Sequence, residues 1–275
     1  SLMPLVSTAK ILESQKCVLA VNVVTLEHAE AFVSASQITG TGLVLQLSEN
    51  AVKYHGSLAP LGAAMIQIAS AAETPIVVHL DHATSRQLVT EAINLGFTSV
   101  MFDGSNLDFE QNVSETLAVV AEGHAKGVWV EAEIGEIGGK DGVHAPGVKT
   151  SVQDAVSFQK ATGVDGLAVA VGSSHAMVEK QATLDLTRIQ EIAAAVPVPL
   201  VLHGSSGVPR EQLVAAVEAG IRKINISTEL NKTFTEAIRE VLAVDEAIVD
   251  PRKYLTVSKS QLEAHVVDYL LLLCS

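Results

Sequence analysis

The sequence predicts an α/β fold, and within that class a (β/α)8 TIM barrel with a short helix ahead of it and an extra helix behind it. Three observations carry this expectation. About eight apolar runs alternate with helix-patterned stretches in a single row, the order of parallel strands joined by crossover helices. The length of 275 residues lies near the ~250 typical of such a barrel. An open doubly wound sheet would permit the same alternation, but no G-x-G-x-x-G turn follows the first strand. No shift in composition divides the chain, so residues 1–275 read as one domain.

Taken in order, residues 8–16 read as the entry helix and 17–23 as the first strand, with Asn22 near its end. A helix over 26–38 follows, with Ala29, Phe32, Val33 and Ser36 in helix-like steps. The second strand, 43–47, ends at Ser48; a loop through 53–56 leads to a helix over 61–71. The third strand, 76–82, starts after Pro75 and ends in Asp81 and His82. Its helix, 85–95, is stopped by Gly96. The fourth strand, 99–102, ends at Asp103, and the helix over 109–125 is stopped by Gly127. The fifth, 128–134, contains Glu133 and runs into a glycine-rich loop over 135–147, the longest irregular piece. Ser151-Val152-Gln153-Asp154 resembles a capping box opening a helix to Ala161. The sixth strand, 167–171, leads through His175 to a helix over 186–195, and the seventh, 200–203, ends at His203. Pro209 opens the next helix, the first turn being where proline is tolerated. The eighth strand, 223–227, precedes a helix over 229–242, and a last helix spans 259–272.

Composition narrows the function classes. With 48% hydrophobic, 18% charged and only 4% aromatic residues, the core is built from Val, Ile, Leu and Ala. A net charge of -13 argues against nucleic acid or an anionic membrane as partner. An anionic small molecule stays open, because a bound cation and backbone N–H groups reverse the field locally. Two cysteines, Cys17 and Cys274, make no disulfide framework, and the expected compartment is the reducing cytoplasm. The apolar tail from Tyr269 to Cys274 is far shorter than the ~20 residues needed to span a bilayer.

In a barrel, the C-terminal strand ends share one mouth. Reading them off gives Asn22, Ser48, Asp81, His82, Asp103, Glu133, His175, His203, Asn225 and Ser227. One histidine after an apolar strand is usually a satisfied core residue. Three at separate strand ends on one rim point to a metal held by His82, His175 and His203, with Asp81 beside it as acid/base. Zinc suits three neutral imidazoles with a fourth position for a substrate oxygen. Asp103 and Glu133 are read as groups that orient ligand imidazoles or hold a displaced metal. His79, inside its strand, is set aside, and His28, His55, His124, His144 and His265 read as solvated or loop residues. An independent signal comes from Gly204-Ser205-Ser206-Gly207 and Asn225-Ile226-Ser227-Thr228. The loops after strands seven and eight are the usual phosphate grip of these barrels.

Leu80-Asp81-His82-Ala83, Val130-Glu131-Ala132-Glu133-Ile134-Gly135, Leu202-His203-Gly204-Ser205-Ser206-Gly207, Lys223-Ile224-Asn225-Ile226-Ser227-Thr228 and Asp250-Pro251-Arg252-Lys253-Tyr254 together resemble the class II, zinc-dependent ketose-bisphosphate aldolases. The similarity runs nearly end to end. The resemblance implies zinc on His82, His175 and His203, Asp81 as proton donor to the aldehyde oxygen, and dihydroxyacetone phosphate held by Gly204, Ser206, Asn225, Ser227 and Thr228. It further implies a monovalent cation, Na+ or K+, near that phosphate, and a homodimer or homotetramer. The implied reaction is reversible cleavage of a ketose 1-phosphate, fructose 1,6-bisphosphate by default, without a Schiff-base lysine.

The sequence departs from the family pattern in four places. The loop after strand five reads Gly138-Gly139-Lys140-Asp141-Gly142 without the usual glutamate, so Asp141 or Glu136 is left as the second base. Ala176 replaces a glycine, Asn106 replaces a histidine, and no arginine follows Arg252. These departures keep three alternatives in view: a tagatose 1,6-bisphosphate aldolase, an aldolase for a sulfonated or deoxy ketose phosphate, and a non-catalytic sugar-phosphate-binding subunit that supports a partner aldolase.

Overall fold

The computed structural model describes residues 3–134, 149–173, 180 and 182–275. Its strands run β1 (Val18–Asn22), β2 (Leu43–Ser48), β3 (Ile76–Ala83), β4 (Ser99–Phe102), β5 (Trp129–Glu133), β6 (Gly166–Ala168), β7 (Leu200–Leu202) and β8 (Ile221–Ile226). Each pairs in parallel with the next, and β8 pairs with β1 to close the barrel. The helices are α1 (Thr8–Leu12), α2 (Leu26–Thr39), α3 (Glu49–His55), α4 (Ala59–Ser70), α5 (Arg86–Leu95), α6 (Phe109–His124), α7 (Val152–Thr162), α8 (Leu186–Ala195), α9 (Arg210–Ala219), α10 (Thr228–Val244) and α11 (Pro251–Leu273). The (β/α)8 barrel expected from the alternation is the fold.

Local chemistry sets the helix starts. Hydroxyl or carboxylate oxygens of Ser48, Ser85, Asp108 and Ser151 accept first-turn N–H groups of α3, α5, α6 and α7. Ser48 explains one difference from the sequence reading: 53–56, expected as a loop, continues the helix that Ser48 opens, and only Gly56, at φ 83°, ends it. The terminal helix also begins earlier than expected. Asp250 caps it and Pro251 occupies its first turn, which adds two turns before residue 259.

Strand alternation sorts the side chains. One set faces the helices and joins the main core. The other fills the barrel in layers. At the floor, Val18, Ala20, Val44 and Val77 pack with Ile11 of α1, which plugs that end. Beside them Trp129 packs with Ala168 and Val201. Gly166 makes room for that indole, since a Cβ there would lie 2.3 Å from a ring carbon of Trp129. Two residues further along β2, β3 and β5 the filling turns polar at Gln46, His79 and Glu131, which meet Ser99 and Lys223; all five are fully buried. The two cysteines, far apart in sequence, share the main core. The hydrogen bond from the Cys274 thiol, together with burial, raises the Cys17 pKa well above that of an ordinary thiol.

Candidate active site

The mouth is organised by an irregularity in β3. Consecutive strand residues normally face opposite sides of a sheet. Here the register with β4 shifts between Leu80 and Ala83, and His82 adopts φ 49°, a left-handed conformation costing about 1–3 kcal/mol in a non-glycine residue. The kink lets Asp81 and His82 both line one cavity.

Asp81 is buried, and its Oδ2 accepts a bond from Asn22 Nδ2 (3.0 Å). Among the described residues its Oδ1 has no hydrogen-bond partner. That second oxygen is buried and lies 4.0 Å from His82 Nε2, which sets the carboxyl against the imidazole at the cavity wall.

The two described histidines of the expected triad converge. His82 Nδ1–H donates to Asp103 Oδ2 (2.8 Å), and Asp103 is itself held by the Ser105 hydroxyl (2.6 Å) and N–H (3.1 Å). His203 Nε2–H donates to Glu131 Oε1 (2.9 Å). Each carboxylate fixes the tautomer of its imidazole and leaves the other nitrogen facing inward. Those inward nitrogens, His82 Nε2 and His203 Nδ1, lie 3.0 Å apart. Two lone pairs repel at that distance unless a proton or a cation sits between them. Burial alone would lower the His82 pKa, but Asp81, Asp103 and Glu133 outweigh it and raise it to about 10. Burial and the neighbouring His82 cation hold His203 well below the usual range. A metal ion would take the place of that shared proton.

Glu133 completes the donor set: one ligand atom each from His82, Glu133 and His203 fall within 4.8 Å of one another. Burial first, then the Asp103 charge, push its carboxyl up to about 8. Asp103 itself stays far below the usual carboxylate range, because the His82 and Ser105 bonds outweigh its burial. Two imidazoles and a carboxylate suit a zinc-type ion. His175, Asp141, Glu136 and Ala176 lie outside the described residues.

The cavity, about 240 Å³, is lined by Asn22, Ser48, Asp81, His82, Gly204, Ser205, Ser206, Asn225, Ser227 and Thr228. The structure thus gathers nearly all the strand-end residues expected at the mouth. Ile226 is the exception among the phosphate-grip residues: its side chain is buried in the main core. Ser227, the residue before α10, makes no capping bond with its side chain, and Gly204 takes the left-handed turn at φ 66°. A left-handed glycine and the start of α10 thus both border the cavity, backbone of the kind that suits an anion.

A family model described as "Fructose-bisphosphate aldolase class-II" matches residues 5–275. The chain belongs to the class II fructose-bisphosphate aldolase family. Fructose-bisphosphate aldolase of Thermus caldophilus is 39% identical over 263 residues, covering 86% of each chain. That of Geobacillus stearothermophilus is 37% identical over 250 residues, covering 90% of this chain and 87% of the relative. Among solved structures, the YdjI aldolase of Escherichia coli K12 superposes with a TM-score of 0.84 at 26% identity, covering 97% of this chain and 94% of that one. This class II aldolase family member is accordingly an aldehyde-lyase, and its fold and donor set agree with a metal-assisted lyase.

Several histidines stand differently from the sequence reading. His28 is buried, completes the capping box with Thr25 and stacks on Phe234 at 4.5 Å; burial lowers its pKa to about 4. His265 is not solvated either: it approaches Glu229 Oε1 (3.3 Å) and stacks on Tyr269. His79, set aside for its place within the strand, is bonded inside the barrel to Ser99 (2.6 Å). Glu131 and Lys223 were missed. The signal for them was alternation, Trp129-x-Glu131-x-Glu133 and Lys223-x-Asn225, which places each on the inward face below a residue of the mouth.

Proposed function

We propose that this aldolase is zinc-dependent and cleaves a ketose 1-phosphate reversibly to dihydroxyacetone phosphate and an aldehyde, with fructose 1,6-bisphosphate as the default substrate. The observation that carries the reading is the pair of imidazole nitrogens 3.0 Å apart, with Asp81 Oδ1, which has no hydrogen bond among the described residues, 4.0 Å from one of them. His82 and His203, together with His175, which follows β6 in the sequence, would hold the ion, and Glu133 offers an alternate ligand. When bound, the ion supplies electrophilic stabilisation of the charge that develops at the ketose carbonyl oxygen.

The chain's own residues do the rest. Asp81 takes the C4 hydroxyl proton as the C3–C4 bond breaks and returns it in condensation. Asn22 keeps that carboxylate aimed. Gly204, Ser205, Ser206, Asn225, Ser227 and Thr228 hold the triose phosphate by hydroxyls, the amide and backbone N–H groups, and a Na+ or K+ ion would balance charge there. Asp141, or Glu136, supplies the second base at the triose carbon. A homodimer or homotetramer in the cytoplasm is the setting that fits this reading.

One observation favours a second reading of the tail. Among the described residues lining the cavity there is no lysine or arginine. Lys53 pairs with Glu49 (3.4 Å), and exposed Arg252 with Asp250 (2.8 Å). A substrate whose aldehyde half carries no anionic group, such as a deoxy ketose phosphate, fits this lining. Coupled reduction of released dihydroxyacetone phosphate across fructose, tagatose and sulfofructose phosphates tests both. Cleavage abolished by a chelator and restored by zinc is expected. Release of inorganic phosphate, or cleavage indifferent to chelation, would overturn the proposal.

A further inference from the structure

We propose that Lys223, buried beneath the mouth, is a positioning residue that sets the metal-binding, acid/base and phosphate arms of the site together. Its Nζ makes three bonds: to Glu131 Oε2 (2.8 Å), Gln46 Oε1 (2.8 Å) and Asn225 Oδ1 (2.9 Å). A lysine ammonium has three donors and no acceptor, so all its capacity is used and the polarity of each bond is fixed.

That polarity propagates. On one side Glu131, held through Oε2, turns Oε1 to His203 Nε2–H (2.9 Å) and so leaves His203 Nδ1 as the nitrogen facing His82. On a second side Gln46 must present its carbonyl to the lysine, which points its NH2 at Asn22 Oδ1 (3.2 Å). Asn22 must then present its own NH2 to Asp81 Oδ2 (3.0 Å). Without the cation Gln46 could turn over, Asn22 would follow, and two oxygens would oppose each other at Asp81. On the third side Asn225 gives its oxygen to Lys223, which leaves its NH2 as the group it can offer an anion.

The inference rests on the proposed reading of the mouth, and its test separates the two. Gln46→Glu keeps an acceptor for Lys223 but loses the NH2 that orders Asn22. It is expected to hold zinc within about three-fold of the native protein, in competition with a chromophoric chelator, while kcat at saturating zinc falls about 10-fold or more and KM for the ketose phosphate changes little. Lys223→Met combined with Glu131→Gln removes the buried pair without leaving an unpaired charge. It is expected to melt cooperatively, yet to bind zinc about 10–100-fold more weakly and to lose kcat as well. Gln46→Glu weakening zinc as much as it lowers kcat, or a folded double variant with native zinc affinity and kcat, would overturn the inference. Should Lys223→Met/Glu131→Gln not fold, Gln46→Glu alone decides it. If the native protein neither binds zinc nor cleaves a ketose phosphate, the functional reading fails instead.

Discussion

The two ends of the barrel are built from the same strands and do opposite things. Along β3 the inward side chains run Val77, His79, Asp81; along β2, Val44, Gln46, Ser48; along β5, Trp129, Glu131, Glu133. The floor is dry, with Val18, Ala20, Val44 and Val77 fully buried and Ile11 at 1% exposure. The mouth, two steps along, carries carboxylates, imidazoles and amides around a cavity. Apolar packing fills one end, while the other carries buried polar groups and a left-handed histidine, features that cost stability and are usual at sites of chemistry. The polar layer between them, around Lys223, belongs by its exposure to the core and by its bonds to the mouth.

Perturbing each end should break this contrast in different measurements. The largest effect is expected at the metal: His203→Ala should lower cleavage by about 10³-fold or more, checked by steady-state turnover with excess zinc, while the melting temperature moves far less than turnover. Asp81→Ala should cost about 10²–10⁴-fold in turnover yet retain zinc measured by atomic absorption. Native turnover in that variant would remove Asp81 from the mechanism. At the floor, Ile11→Ala should lose about 2–5 kcal/mol of stability in denaturant titration with kcat within about two-fold of native. A large loss of kcat there would show that the two ends are not separable.

The smallest effect is expected at the link between α11 and the mouth. The Glu229 N–H donates to the Ser206 hydroxyl (3.1 Å), and the Glu229 carboxylate accepts from Lys180 (3.0 Å) and Tyr269. Burial would raise its pKa, but His265, Tyr269 and Lys180 outweigh that and lower it to about 2. A carboxyl depressed in the folded state contributes stability above its unfolded pKa near 4.5 and loses it as pH falls toward 2. Glu229→Gln should therefore cost about 1–3 kcal/mol at pH 7 and progressively less below the unfolded pKa. A cost independent of pH would contradict the assignment.

Much of this was legible in the sequence. Apolar runs ending in Asp81-His82, His203-Gly204 and Asn225-Ile226-Ser227 point those residues to a barrel mouth, because strand ends of a closed parallel sheet share one rim. What could not be read had physical causes. Glu131 and Lys223 look like strand interruptions in a linear reading, and only closure of β8 onto β1 and β5 onto β4 brings their side chains within 2.8 Å. The bulge that turns both Asp81 and His82 inward leaves no mark in a run that reads as a regular strand. His28 and His265 read differently in the linear chain because the groups that pack against them, Phe234 and Glu229, lie on a separate helix, α10. The helix of residues 49–55 was hidden by its brevity, and the early start of α11 by the proline in its first turn.

The most direct test of the central claim is a calorimetric titration of zinc into metal-free protein, run beside a variant carrying both His82→Ala and His203→Ala. Tight saturable binding of zinc by the native chain with proton release, lost in the folded double variant, is the predicted result. Undiminished binding by that variant would contradict the claim that these two imidazoles, brought together from β3 and β7, hold the ion on which cleavage depends.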